Sequence, residues 1–305
     1  MRRETKIPFL WLLLDINLSV LIYSANPQEY KKYRFYERNH FARNEFLTKY
    51  RIHICLGWSF NPTEYRSYFD DKNRFNQSFS NYLGRRWLYA PDASDQQIED
   101  FLREQEQFIV KPCDLNGGTG IYKILLSEIV DIKAFCVSAK INRLMLEEII
   151  KQHSGLSSIN PASVNTLRIN TVVDKKGVPH ILCACLRMGT GQAVADNMSA
   201  GGILAQIDLN SGVLFTTAIG KDCQTYIKHP TSGAVLPGFQ IPHWEAAKEM
   251  VLQAAKVIPQ IRFVAWDVAV TEKGPLLIEG NTMPGTEGFQ LATQTGVYRL
   301  LRSYL

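Results

Sequence analysis

An α+β fold built from antiparallel hairpins, with few βαβ units, is what three features of this 305-residue sequence predict. Residues 265–281 read as two short strands around a Glu272-Lys273-Gly274 turn. Residues 108–126 read as a strand, a glycine-rich loop and a second strand. Residues 159–185 alternate apolar and polar side chains around a Lys175-Lys176-Gly177 turn.

From the N-terminus, residues 7–23 are apolar but interrupted by Asp15, Asn17 and Ser19, too short and polar to span a bilayer. Arg2, Arg3 and Lys6 precede them. A buried or membrane-apposed segment is expected in preference to a signal peptide. Residues 24–70 are basic and aromatic, with the spacing of one or two helices; a solvated face with its aromatics packed inward is the plainest reading. Phe75, Phe79 and Tyr82 have helical spacing and Gly84 ends that helix. Ser94, with Gln97 three residues on, caps a helix through Glu106. The strand 108–112 then enters Cys113-Asp114-Leu115-Asn116-Gly117-Gly118-Thr119-Gly120. Such glycines let backbone N–H groups approach a phosphate, and Lys111 can neutralise its charge; a plain turn accounts for the same residues. No helix follows, so neither a Walker nor a Rossmann loop fits.

Residues 131–140 look helical, 144–150 read as a strand, and 151–158 as a polar connection. Arg168 and Arg187 lie on the alternating strands beyond. Gly201-Gly202 makes a second glycine turn before a strand at 203–209, and another strand is expected at 213–219. A loop at 220–242, a helix at 244–258 and a closing helix complete the chain around the 265–281 hairpin. With Glu272 to Gly274 as a three-residue loop, Asp267 faces Glu279. One face then carries Asp267, Glu279 and Asn281 beside Ala265 and Ala269; the other carries Trp266, Val268, Val270, Leu276 and Ile278. Two carboxylates and an amide oxygen suit a hard cation such as Mg²⁺. An amphipathic surface hairpin with its acids in water fits the same pattern.

The net charge of +5 and an apolar content of 46% describe a globular chain without the concentrated basic character of a nucleic-acid binder. Its six cysteines form no CxxC pair and complete no zinc spacing, as expected of reduced, mostly buried thiols in a cytoplasmic protein. No serine or cysteine nucleophile motif is present.

In order, Asp71-Lys72, the 108–112 strand with its glycine loop, Leu146-Glu147-Glu148-Ile149-Ile150, Val164-Asn165-Thr166-Leu167-Arg168, Asp196-Asn197 with Gly201-Gly202, and Trp266-Asp267 with Glu279-Gly280-Asn281 resemble the ATP-grasp superfamily. The set looks closest to its sugar-transfer-associated group, which is similar to alpha-L-glutamate ligases. The resemblance covers about residues 70–290. It implies two α+β subdomains sandwiching ATP, here 71–158 and 159–305, after a mostly helical region, 1–70. By position it implies Lys72 and Lys111 on the phosphates, Gly117, Gly118 and Gly120 in a closing loop, and Glu147, Glu148, Ile149 and Ile150 in the strand that reads adenine. Asp267, Glu279 and Asn281 match ligands of two Mg²⁺ ions. Some relatives carry an arginine two residues before the metal aspartate; this chain has Ala265. Arg187, near Asn197, is the better candidate for steadying the intermediate, with Arg168 second.

The implied reaction joins a carboxylate to an amine through an acylphosphate. The amine is an amino sugar or an amino acid, and the family name points by association to polysaccharide synthesis. A kinase on the same scaffold, or a nucleotide-binding partner of a glycosyltransferase at the membrane, are the competing readings.

Overall fold

The computed structural model describes residues 7–113, 120–193 and 196–305. Its N-terminal layer is helical: α1 (Phe9–Tyr23), α2 (Pro27–Lys32), α3 (His40–Asn44), α4 (Lys49–Cys55) and α5 (Ser67–Asp70). This is more broken than the one or two helices expected between 24 and 70, because Asn26, Asn39 and Thr48 each cap a new short helix. The aromatics do turn inward: Tyr30, Tyr33, Phe35 and Phe46 are fully buried. None of the described helices is long and apolar enough to cross a membrane.

The segment after Asp71 divides into α6 (Lys72–Ser78) and α7 (Ser80–Leu83), with Asp71 capping the first. A four-stranded sheet follows, ordered β1 (Trp87–Tyr89), β4 (Leu144–Glu148), β2 (Gln107–Pro112), β3 (Tyr122–Leu125). Helices α8 (Asp95–Arg103) and α9 (Ile132–Ile141) pack on it around Phe101, Phe108 and Leu146. The Ser94 cap forms as the spacing requires, with Gln97 returning a bond to the Ser94 N–H. Two elements differ from expectation. Trp87–Tyr89 is a strand, too short for alternation to reveal it. The polar connection after β4 contains α10 (Ser154–Ile159), which turns Leu156 and Ile159 inward.

The second sheet has seven strands in the order β11 (Gly274–Asn281), β10 (Phe263–Thr271), β5 (Thr166–Val173), β6 (Pro179–Met188), β7 (Ile203–Ile207), β8 (Ala218–Gly220), β9 (Thr225–Tyr226). All its pairings are antiparallel. The strand expected at 213–219 is mostly irregular, reduced to bridges of Val213 with Gln240 and of Leu214 with Ile207 before β8. One face packs Trp266, Val268 and Leu167 against α11 (Trp244–Ala254) and the phenylalanines of α5 and α6. The other face is covered at one end by the N-terminal layer and by α12 (Glu287–Gln290) and α13 (Tyr298–Arg302). Tyr33 bonds Thr286 at 2.7 Å and Lys32 pairs with Glu287 at 2.7 Å, pinning that cover in place.

The β10–β11 hairpin turns one residue earlier than the three-residue loop predicts: Thr271 pairs with Gly274, and Val268 with Leu277. A bulge then leaves Ile278 unpaired and restores Asp267 opposite Glu279. The apolar face is accordingly continued by Leu277, not by Leu276 or Ile278. Leu277 joins the main core, while Leu276 lies where a Cβ on Gly84 would approach to 3.1 Å.

Candidate active site

β10 delivers Asp267 to the partly covered face of the seven-stranded sheet, where it is 4% exposed. Register does the rest. Asp267 faces Glu279 on one side and Arg168 on the other, and Ala265 faces Asn281. Arg168 grips both carboxylate oxygens, with Nη2 at 2.9 Å from Oδ2. Arg187, from β6, donates through Nη1 to Asp267 Oδ2 at 2.9 Å and through Nη2 to Asp196 Oδ1 at 2.7 Å. The other Asp196 oxygen accepts from the Thr166 N–H at 3.0 Å and from the Thr166 hydroxyl. Two arginines, from β5 and β6, thus bond the carboxylate two residues beyond Ala265.

Burial raises the cost of every charge here, and the neighbours decide each outcome. At Asp267 burial is outweighed by Arg168 and Arg187, so its carboxyl stays below the usual range. At Asp196 burial wins over Arg187 and the carboxyl is pushed up. Burial, then the charge of Asp267, pushes Glu279 up as well. Glu279 nevertheless keeps part of its surface exposed, and Asn281 Nδ2 donates to its Oε1 at 3.2 Å. Among the described residues no three His, Cys, Asp or Glu side chains cluster as metal ligands. The donor set is two carboxylates and an amide, all oxygen. Two adjacent acids that resist ionising together are what a hard divalent cation relieves, so these residues fit Mg²⁺.

A second cluster lies on the four-stranded sheet. Glu147 is 4% exposed and meets Arg85 Nε at 3.0 Å and Lys111 Nζ at 2.6 Å. Burial alone would raise its carboxyl; the two cations reverse this and hold it well below the usual range. Arg85 also donates through Nη1 to the Leu277 carbonyl at 2.6 Å, so one guanidinium joins the two sheets. Lys72, at the start of α6, donates to the Pro112 carbonyl at 3.0 Å, moored to the entrance of the glycine loop. Burial lowers its pKa, and Glu279, Lys111 and Glu147 all act on it electrostatically.

The sequence-derived candidates therefore gather in two neighbouring groups. Asp267, Glu279, Asn281, Arg168 and Arg187 form one; Lys72, Lys111 and Glu147 form the other. Glu147 serves by its side chain as counter-ion to Lys111. Glu148 accepts from the Arg86 N–H at 3.1 Å. Ile149 and Ile150 are half-buried just past the end of β4. Gly120 is left-handed, with φ of 73°, whereas Gly117 and Gly118 lie outside the described residues. Asn197 caps the turn after it, accepting from the Ala200 N–H at 2.8 Å. Its neighbour Asp196 is the residue that reaches Arg187. Sequence reasoning missed Asp196 and Arg85. The first sat within a quoted motif, but the second, in an ordinary Arg85-Arg86 pair, carries no local signal.

Among solved structures, the chain is similar to the ATP-grasp ligase PsnB complexed with minimal precursor, with 14% identity over 80% of this chain and 63% of that one and a TM-score of 0.51. A PsnB complex with a phosphomimetic precursor variant, Mg and ADP gives 13% identity, 80% and 62% coverage and a TM-score of 0.50. D-alanyl-alanine synthetase A from Vibrio cholerae gives 13% identity, 78% and 60% coverage and a TM-score of 0.43. The chain spans less than two thirds of the length of these relatives. No curated protein matches the sequence. The family model described as sugar-transfer associated ATP-grasp matches residues 56–304, from just after α4 through α13, and the chain belongs to that family.

Proposed function

We propose that this protein is an ATP- and Mg²⁺-dependent ligase that joins a carboxylate to an amine through an acylphosphate. The observation that carries the reading is the all-oxygen set Asp267, Glu279 and Asn281, with Lys72 within electrostatic reach and Arg187 alongside. The organisation that goes with it is a helical region at 1–70 and two subdomains, 71–158 and 159–305, around the nucleotide. In this reading residues 147–150 would take the adenine, and Gly117, Gly118 and Gly120 would serve the phosphates.

Asp267, Glu279 and Asn281 would hold Mg²⁺, up to two ions, which supplies charge neutralisation on the phosphates. Lys72 and Lys111 orient those phosphates, Lys111 by exchanging part of its contact with Glu147. A carboxylate oxygen of the acceptor attacks the γ-phosphorus and ADP leaves. The amine then attacks the acyl carbon, loses a proton, and inorganic phosphate departs. Arg187, with Arg168 behind it, stabilises the oxyanion of that second step; Asp196 and Asp267 keep the guanidinium oriented. Asn197 supports this group by shaping the turn beside Asp196. The sugar-transfer association of the family favours an amino sugar or an amino acid as the amine, in assembly of a cell-surface polysaccharide alongside glycosyltransferase-pathway proteins.

The test is a screen of carboxylic acids and amines with ATP and Mg²⁺, following ADP and phosphate separately. A ligase releases both in equal amounts, and only when acid and amine are both present. ADP without phosphate, together with a phosphorylated acceptor, identifies a kinase and overturns the ligase reading. If wild-type protein neither melts at a higher temperature with Mg²⁺-ATP nor releases ADP, the enzymatic reading falls.

A further inference from the structure

The whole net charge of +5 sits ahead of the family core. Residues 1–55 contain ten Lys and Arg against five Asp and Glu, leaving 24 of each in residues 56–305. Helix α1 lies in this basic segment. Nine of its 15 residues are large apolar side chains left exposed, among them Leu10 at 72%, Trp11 at 68% and Leu21 at 79%. Its buried residues, Leu12, Ser19 and Tyr23, make one narrow stripe. At about 100° per residue that stripe spans roughly 40° of arc, and the exposed positions span roughly 220°.

Of the polar side chains of α1, Asp15 and Ser19 lie outside that arc, and Asn17 alone lies within it. Asp15, its one acidic or basic residue, turns toward the protein. Arg43 holds its two oxygens at 2.6 and 2.7 Å, and the Tyr30 hydroxyl donates to it at 2.6 Å. Asn17 donates to the Leu13 carbonyl of its own helix at 2.7 Å. Cations flank the helix. Arg2, Arg3 and Lys6 precede it in sequence. At its far end the Tyr23 hydroxyl bonds His40 at 2.7 Å, next to Phe41, and the Tyr23 carbonyl accepts from Thr48 at 3.2 Å, next to exposed Lys49 and Tyr50.

We propose that α1 is an interfacial anchor that seats the protein on an anionic lipid bilayer. A protein partner would cover one further stripe of the helix; a fluid apolar medium covers the whole arc, including residues on opposite sides of it. At about 1.5 Å per residue a helix of this length reaches ~22 Å, short of the ~30 Å hydrocarbon core, so it lies in the interface. The basic flanks select negative headgroups. The proposal stands apart from the ligase assignment.

The test is flotation of the full chain with vesicles of phosphatidylcholine alone and of phosphatidylcholine with phosphatidylserine. Wild type should float with the serine-containing vesicles and be released by salt. Leu14→Glu with Leu21→Glu should cut the bound fraction by about tenfold or more, with the melting temperature in lipid-free buffer unchanged. Equal flotation of variant and wild type, or none of wild type, overturns the proposal. So does a lipid-free dimer of wild type that the double variant abolishes, which would assign the surface to a second copy. If the double variant does not fold, brominated acyl chains replace it as the probe. They should quench wild type more than Trp11→Phe, and equal quenching overturns the proposal.

Discussion

Asp267 and Glu279 stand directly opposite each other across the β10–β11 hairpin because Ile278 is bulged out between them and the turn. Without that extra residue the two-residue turn at Glu272-Lys273 would set Asp267 against Ile278, and Glu279 would point to the other face of the sheet. The bulge brings two acids together, and burial, then the charge of Asp267, raises the pKa of Glu279.

That raised pKa predicts opposite responses from one substitution. A carboxyl whose folded pKa is raised loses stability as pH climbs from its unfolded value near 4.5 through the folded one. Glu279→Gln removes this penalty, so at pH 7 the metal-free variant should melt at or above the wild-type temperature. The same variant should lose the Mg²⁺-ATP-dependent rise, which for a ligand at a hundred times its Kd corresponds to about 2.7 kcal/mol. Thermal melts with and without Mg²⁺-ATP read both effects. A less stable metal-free variant, or an undiminished rise, contradicts the paired-acid site.

Glu147 behaves in the reverse sense. Its folded pKa is depressed, so its contribution is fully present above the unfolded value near 4.5 and is lost as pH falls below it. Glu147→Gln leaves Arg85 and Lys111 without their shared counter-ion and should cost about 3 kcal/mol at pH 7. Denaturant unfolding between pH 3 and pH 7, conditions chosen around that value, should show a shallower loss of stability on the acid side for the variant. Parallel pH curves would remove Glu147 from the role given to it.

The loop that presents Asp196 depends on one close approach. A Cβ on Gly202 would lie 2.1 Å from the Asp196 carbonyl oxygen and 2.8 Å from that of Asn197. Gly202→Ala should therefore displace Asp196 from Arg187, destabilise the fold by about 2 kcal/mol and depress turnover. Gly177→Ala is the control: nothing lies within 4 Å of its Cβ position, but its φ is +81°. There the expected loss is about 1 kcal/mol with turnover intact. Equal activity of the two variants would show that the Asp196 loop is not needed for the reaction.

The acidic face was legible because strand alternation reports itself within a few residues, and the bulge happened to cancel the misplaced turn. Arg168 was visible on an alternating strand, but only sheet order shows that it opposes Asp267. Arg85 was not legible at all, because its meaning lies in two partners 62 and 192 residues away. That Asp196 bonds Arg187 while Asn197 caps the turn is decided by backbone geometry, which composition does not report. The short helices of the N-terminal layer escaped because each is set by its cap and too brief for periodicity. The exposed face of α1 escaped because apolar residues alone do not say which side meets the protein.

The guanidinium of Arg85 makes the two sheets answer to each other. It holds the counter-ion of Lys111 with one edge and the Leu277 carbonyl, two residues before Glu279, with the other. Whatever draws Lys111 toward a phosphate would strengthen the claim of Glu147 on Arg85, and that change would be delivered to the strand carrying the proposed metal ligands. Thermodynamic reciprocity then requires the traffic to run both ways: nucleotide should sharpen the affinity for Mg²⁺ by the same factor by which Mg²⁺ sharpens the affinity for nucleotide. The site would behave as an AND gate, with Arg85 as one of the side chains that link its two halves.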